Sequence, residues 1–429
     1  MKISIIGAGY VGLSTALGLA HHGHSCICVD RNEKKVNDIN KGIPPFYEED
    51  VADSLKEALD KKLIFATTDY THAVQNSDIT FICVGTPSKV DGSIDLSQIT
   101  NAAQSIATAM KNKNSYHVVC IKSTVLPGTA EGVFKKWLEN ESGKKAGIDF
   151  GLAMSPEFLR EGFAVQDFLS PDRIVIGELD KRSGDALEKL YTDFNAPIMR
   201  TSLKTAEMIK YASNAFLATK VTFINELGNL CKKLGIDVYE VARGMGYDKR
   251  IAPHFLNAGC GFGGSCFPKD VSALVSLFKK EHENSDVLDA VLKSNTAQKK
   301  KIVEILKNKI DPAGKKIAVL GLAFKENTDD VRDSVAIDVI KELKKHSANV
   351  YAYDPMANGN MKKIFPDITY ADTPTEALKD ADACLIMAAW GEFAELADSD
   401  FAVMNNKIII EGRKILDRTQ VSGIEGVCW

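Results

Sequence analysis

Residues 2–30, KISIIGAGYVGLSTALGLAHHGHSCICVD, decide how the chain folds. Lys2 to Ile6 is a short apolar run of strand type that enters Gly7-Ala8-Gly9-Tyr10-Val11-Gly12. A helical stretch follows from Leu13 to His21, then a second strand from Ser25 to Val29 that ends in Asp30. Three glycines at this spacing are a weak signal on their own. Here strand, glycine turn, helix, strand and terminal acid fall within one unit of roughly 30 residues, the pattern of a dinucleotide-binding βαβ fold. Gly7 is read as making the tight turn, Gly9 as letting backbone approach a pyrophosphate, and Gly12 as permitting close helix packing. Asp30 would accept from a ribose 2′-hydroxyl and repel a 2′-phosphate, so NAD is expected rather than NADP. Arg31 is the one neighbour that would suit the phosphate instead.

Beyond this unit, strand-like runs alternate with helical ones: Leu63–Ala66, Ile79–Val84, His117–Ile121, Asp149–Ala153 and Arg173–Gly177. They predict an α/β fold, a doubly wound parallel sheet reaching to about residue 196. Ligands of such sheets bind past the carboxyl ends of strands, where Gly85-Thr86-Pro87-Ser88 and Ser123-Thr124 both fall. From Ser202 to about Lys280 the pattern turns helical, with one long helix expected over Thr205–Leu234. Asp311-Pro312-Ala313-Gly314 punctuates the chain, and a second αβ series follows: Ile317–Phe324, Asn349–Tyr353, Ala383–Ala388 and Lys407–Ile410. Its first turn reads Gly321-Leu322-Ala323-Phe324-Lys325 and lacks the three-glycine pattern. A different nucleotide, or none, is expected there.

The 429 residues suffice for two or three domains with full cores. Mixed charge with a net of −4 and no long basic run argues against a nucleic-acid partner. No apolar run approaches the ~20 residues of a membrane span. The first residues already form a strand, so no cleavable signal is expected. Nine scattered cysteines without CxxC suggest reduced thiols and a cytoplasmic protein. No His/Cys/Asp cluster has metal-ligand spacing, so no metal is expected.

The stretch GCGFGGSCFPKD at 259–270 carries the chemistry. Gly259, Gly261, Gly263 and Gly264 remove side chains where backbone turns sharply or presses on a neighbour. Pro268 suits a first helical turn, which puts Cys266 just before a helix N-terminus. The positive end of that helix favours a thiolate. Asp270 falls one turn on, so the reading is a nucleophilic thiol beside a carboxylate. A free cysteine is more often a small buried apolar residue. Lys210 and Asn214 are four apart on the long helix and share a face, where a Lys-x-x-x-Asn pair is ordinarily solvated surface.

GAGYVG at 7–12 is joined by VGTPS at 84–88, KST at 122–124, SPEFLREG at 155–162 and KYASN at 210–214. GFGGSCFPKD at 261–270 and GLAFKENTDDVRDS at 321–334 complete the set. Together these resemble the nucleotide-sugar dehydrogenases of the UDP-glucose/GDP-mannose dehydrogenase family, over nearly the whole chain. The resemblance implies two Rossmann-like domains joined by a long central helix, with a helical dimer interface between them. It divides the chain into an NAD-binding domain at 1–196, a central helical dimerisation domain at 197–300 and a UDP-sugar-binding domain at 312–429.

The implied reaction is a four-electron oxidation of the C6 hydroxyl of UDP-glucose to a carboxylate, using two NAD. An aldehyde between the two hydride transfers must be converted into an adduct before it gives up hydride. Cys266 would add to give a thiohemiacetal, whose oxidation yields a thioester that water cleaves. The resemblance gives Lys210 and Asn214 the oxyanion. It gives Asp270 or Glu161 the water as general base, and it places Thr124 beside that water or the nicotinamide. It adds Tyr10, Val11, Lys35, Thr86, Thr124, Glu161 and Lys269 to the cofactor contacts. Glu157, Phe158 and Leu159, with Lys210 and Asn214, would touch the sugar nucleotide. Phe255, Leu256, Gly259 and Gly263 would lend backbone to it, and Lys325 would pair with the diphosphate. Arg413 would join them, and Arg250 would reach into a neighbouring subunit's site in a homodimer or higher oligomer.

Three other readings share parts of this pattern. The same chemistry on GDP-mannose or a UDP-N-acetylhexosamine differs only in a few loop contacts. A non-catalytic nucleotide-binding relative would be expected to lack at least one of Cys266, Asp270, Lys210, Asn214 and Glu161, and all five are present. A two-electron hydroxyacid dehydrogenase would need no nucleophilic cysteine.

Overall fold

A computed structural model of the protein describes residues 1–429. The chain divides into two compact units, Met1–Ser213 and Asn214–Trp429, and the 32-residue helix Leu203–Leu234 runs through the boundary.

The first unit is built on eight strands: β1 (Lys2–Ile6), β2 (Ser25–Val29), β3 (Ile64–Thr67), β4 (Ile79–Ile82), β5 (Val118–Ile121), β6 (Gly151–Met154), β7 (Ile174–Glu178) and β8 (Ile198–Ser202). They lie in the order β3-β2-β1-β4-β5-β6-β7-β8. Every residue of β4, β5 and β6 is buried, as strands covered by helices on both faces must be. The strand order reverses at β1 and β4, and the glycine turn lies at that switch point, where such sheets take their ligands.

One junction departs from the expected parallel sheet: β7 pairs antiparallel with β6. Both strands are apolar and buried, so their composition carries no direction. The consequence is functional. A strand that re-enters beside the exit of its antiparallel neighbour keeps the intervening chain on one edge. The SPEFLREG segment therefore stays at the ligand edge instead of crossing the sheet. Strand β8 lies beyond the expected strands and is short and only partly buried, so no continuous apolar run marks it.

In the second unit, β9 (Lys316–Leu320), β10 (Asn349–Tyr353), β11 (Thr369–Tyr370), β12 (Ala383–Ile386), β13 (Ile409–Glu411) and β14 (Ile424–Gly426) form a parallel sheet. Its order, β11-β10-β9-β12-β13-β14, repeats that of the first six strands of the other unit. The first turns also correspond. Gly7 and Gly321 both have positive φ (97° and 92°), and their amides donate to Val29 at 2.7 Å and Tyr353 at 2.8 Å. They then diverge. In the second unit Asp354, 1% exposed, accepts from the amides of Leu322 (2.7 Å) and Ala323 (3.0 Å) and from the Trp390 indole (3.1 Å). Asp30 takes one amide of the first turn, that of Ala8, whereas Asp354 takes two of the second.

Candidate active site

The glycines of the first turn answer to different neighbours. A Cβ on Gly7 would stand 2.8 Å from the Cys83 carbonyl oxygen, and one on Gly12 would stand 1.8 Å from the Gly7 oxygen. Both are demanded by the protein's own backbone. Gly9 is different: nothing lies within 4 Å of its added Cβ. Its missing side chain leaves an open approach to the start of helix Tyr10–His21, whose free amides suit an anion. Asp30, at the end of β2, accepts from the amides of Ala8 (3.2 Å) and Asn32 (3.0 Å) and from the Lys35 ammonium (2.8 Å). A carboxylate has about four acceptor positions, so one remains for a ribose hydroxyl. These residues fit a dinucleotide. Val11 follows within the first helical turn, and its carbonyl accepts from Thr15. The Tyr10 hydroxyl points elsewhere, to Glu48 and the Gly162 amide.

At the strand ends, the Thr86 hydroxyl donates to the Thr124 carbonyl at 2.9 Å and so joins two loops of the ligand edge. Beside them lies a buried ion pair, Lys210 to Glu157 at 2.7 Å, with 3% and 7% of the side chains exposed. Glu157 also accepts from the Leu159 amide at 2.7 Å. Burial acts against its charge, yet the Lys210 ammonium, that amide and Lys122 hold its carboxyl below the usual carboxylate range. Phe158 packs its ring between the Arg173 guanidinium (3.9 Å) and the Lys210 ammonium (5.7 Å). Glu161 is half-buried in the same loop, near enough to Tyr10 to act on it electrostatically.

In the second unit, Cys266 is the N-cap of helix Phe267–Lys280, with Pro268 in its first turn. The Asp270 amide donates to the Cys266 carbonyl at 2.8 Å. The Asp270 carboxylate is 1% exposed and accepts from Asn214 at 2.6 Å and from Lys269 at 2.5 Å. Asn214 is thus committed to the carboxylate, and it orients Asp270 from the long helix.

Four carboxamides and an arginine hold the loop that leads to Cys266. Asn295 both accepts from the Phe262 amide (2.8 Å) and donates to its carbonyl (3.0 Å). Gln298 donates to the Gly259 carbonyl at 2.6 Å and accepts from Asn229 at 2.7 Å, while Asn225 accepts from the Gly259 amide at 2.8 Å. Arg413 donates to the Gly261 carbonyl at 2.8 Å. A Cβ on Gly259 would meet the Gly412 oxygen at 2.4 Å, and one on Gly263 the Asp333 oxygen at 2.2 Å. A Cβ on Gly264 would strike the Phe324 ring at 2.7 Å, next to half-buried Lys325. The cysteine loop therefore lies directly on the GLAFKENTDDVRDS segment. Leu256 is 2% exposed, and the Phe255 ring lies 6.1 Å from that of Phe267. Arg250 stands apart, 89% exposed and paired with Asp248. Sequence reasoning passed over Asn225, Asn229, Asn295, Gln298 and Glu48. Apart from half-buried Asn229, only their burial in a polar state marks them, and burial is not visible in a sequence.

Comparison with known proteins matches residues 1–195 to the NAD binding domain of the UDP-glucose/GDP-mannose dehydrogenase family. Residues 204–297 match that family's central domain and 318–418 its UDP binding domain. The chain is 43% identical to the UDP-glucose 6-dehydrogenase AglM of Haloferax volcanii over 425 residues, covering 98% of each chain. Among solved structures, a UDP-glucose dehydrogenase from Pyrobaculum islandicum superposes with a TM-score of 0.94 at 38% identity, over 100% of this chain and 98% of the other. A UDP-D-ManNAc dehydrogenase from Pyrococcus horikoshii gives 0.88 at 30% identity, over 100% of this chain and 99% of the other.

Proposed function

We propose that this chain, which belongs to the UDP-glucose/GDP-mannose dehydrogenase family, is an NAD-dependent oxidoreductase that converts UDP-glucose to UDP-glucuronate. The observation that carries the reading is Cys266 at the N-terminus of a helix whose first turn holds the buried Asp270. NAD would be held by the Gly7–Gly12 turn and Asp30, and when bound it supplies the hydride acceptor for both oxidations.

The side chains divide the remaining work. Lys210, paired with Glu157, stabilises negative charge on the substrate's C6 oxygen while water held by Asp270 or Glu161 takes up the hydroxyl proton. Cys266 attacks the aldehyde carbon as a thiolate favoured by the helix terminus, giving a thiohemiacetal. Loss of the second hydride leaves a thioester, and water activated by Asp270 or Glu161 cleaves it. Asn214 keeps the Asp270 carboxylate in place throughout. Lys325 and Arg413 bind the diphosphate and sugar side of the substrate. Thr124 and Thr86, joined by one hydrogen bond, border the nicotinamide.

A homodimer completes the reading. Phe216, Phe223 and Leu230 stand seven apart on the long helix and are 66%, 50% and 54% exposed. Such a stripe supports pairing with a second copy, and exposed Arg250 is then available to the partner's sugar site. No helix is long and apolar enough to cross a membrane. We place the enzyme in the cytosol, where nine free thiols and a nucleophilic cysteine stay reduced.

The test is NADH formed per product with UDP-glucose, a UDP-N-acetylhexosamine and GDP-mannose. Two NADH per UDP-glucuronate from UDP-glucose alone is the expected result. The likeness to the Pyrococcus horikoshii enzyme favours the N-acetylhexosamine as the second reading, and turnover of that sugar instead would move the specificity there. One NADH per turnover would remove the thioester step.

A further inference from the structure

Glu48 lies in the loop before helix Val51–Asp60 and is 6% exposed, yet no lysine or arginine pairs with it. A buried carboxylate without a counter-ion must be satisfied by hydrogen-bond donors. Both of its oxygens are used. Oε1 accepts from the Val165 amide at 3.0 Å, and Oε2 accepts from the Gly162 amide at 3.1 Å and from the Tyr10 hydroxyl. The Tyr10 oxygen in turn accepts from the Gly162 amide, and its ring lies 4.3 Å from that of Phe46. Burial and the neighbouring Glu48 push the Tyr10 phenol up, so it remains a donor at any working pH.

The carboxylate therefore ties two pieces of the site together. Tyr10 belongs to the glycine turn that would seat the pyrophosphate. Gly162 directly follows Glu161, and the same loop is anchored at its other end by the Glu157–Lys210 pair. We propose that Glu48 is a positioning residue: through the Tyr10 hydroxyl and the Gly162 amide it makes the dinucleotide turn and the acid-bearing loop move as one body. Cofactor binding then sets the loop in place. This rests on the functional reading above, in which that loop serves the reaction. A carboxylate is required because three donors converge on it, whereas a glutamine would aim its own N–H at one of them.

Two measurements on Glu48→Gln, Tyr10→Phe and the double variant test this. Hydrogen exchange of residues 160–166, with and without NAD, needs no substrate. In the wild type, NAD is expected to slow exchange there at least tenfold, and either substitution should abolish most of that protection. In steady state, each single variant should lower kcat about tenfold or more and raise the KM for NAD. The KM for UDP-glucose should stay within threefold, and the double variant should be no worse than the worse single one. A merely structural role would lower the melting temperature without splitting the constants this way. Tyr10→Phe removes one hydroxyl, so it decides the matter if Glu48→Gln does not fold. Absence of NAD-dependent protection in the wild type, or wild-type kcat and NAD KM in folded Tyr10→Phe, overturns the proposal. A wild type that binds NAD and shows the protection but oxidises no sugar nucleotide fails the functional reading alone.

Discussion

Lys210 and Glu157 meet at 2.7 Å with 3% and 7% of their side chains exposed. Such a pair is held by geometry, because removing either partner leaves a charge in a place where water does not reach it. Glu157→Ala is expected to cost ~3–5 kcal/mol in chemical denaturation. Replacing both residues, Lys210→Met with Glu157→Leu, should recover most of that stability while oxidation remains absent. The pH dependence has a definite sign. A carboxyl held below its ordinary 4.5 contributes stability in full above pH 4.5 and loses it as pH falls below that value. A double variant no more stable than Glu157→Ala would show that the pair is not the reason for the loss.

Gly9 and Gly12 are chemically identical and should fail differently. In Gly12→Ala the new methyl would stand 1.8 Å from a backbone oxygen, so the turn must deform at a cost of ~3 kcal/mol or more. Gly9→Ala meets nothing within 4 Å, and stability should stay within ~0.5 kcal/mol of wild type. NAD affinity of that variant should nonetheless fall on the order of tenfold, because the methyl occupies the approach to the helix N-terminus. Thermal melts and NAD titrations of the two variants read both quantities. Unchanged NAD affinity in Gly9→Ala would remove the turn from the cofactor site.

Cys266→Ser keeps the size and the helix N-cap position but gives up the thiol proposed as the nucleophile. Acid formation is expected to fall on the order of 10³-fold or more. NAD binding should persist, since the glycine turn is built within the first unit without this residue. Mass spectrometry of the wild type quenched during turnover should show the sugar nucleotide attached to the peptide that holds Cys266. Normal acid production by the serine variant would sink the thioester route.

Glu207 supplies the clearest pH signature of the fold. It is fully buried near the start of the long helix and accepts from the amides of Gly128 (2.6 Å) and Ala130 (2.8 Å). Burial outweighs these bonds and raises its carboxyl from 4.5 to about 7. A raised folded-state value means the folded chain holds the proton more tightly than the unfolded one. Its contribution is complete below pH 4.5 and is lost as pH rises through about 7, amounting to ~3 kcal/mol. Glu207→Gln should lack this slope, so wild type and variant should converge or cross between pH 5 and 8.5 in denaturation midpoints. Parallel curves would place the titration elsewhere.

The glycine turn, Asp30 and the Cys266 helix start were legible because each rests on a local rule: φ above zero, an acid at a strand end, proline in a first turn. The repeated sheet was legible for the same reason, since buried strands write continuous apolar runs. The direction of β7 against β6 was not, because both strands are apolar and buried in either direction. Nor was the commitment of Asn214 to Asp270, residues 56 apart in sequence and 2.6 Å apart in space.

By itself, then, the sequence determined the class of fold, the glycine turn and the helix start at Cys266, all properties that short stretches of chain settle among near neighbours. Only the tertiary structure decided which polar groups are buried and with whom. Glu48 beneath Tyr10, Asn295 on Phe262 and Asp354 in the turn of the second sheet are examples. The physical reason is that a buried polar group must find a partner within about 3 Å. Folding supplies that partner from distant parts of the chain, at separations that no local pattern encodes.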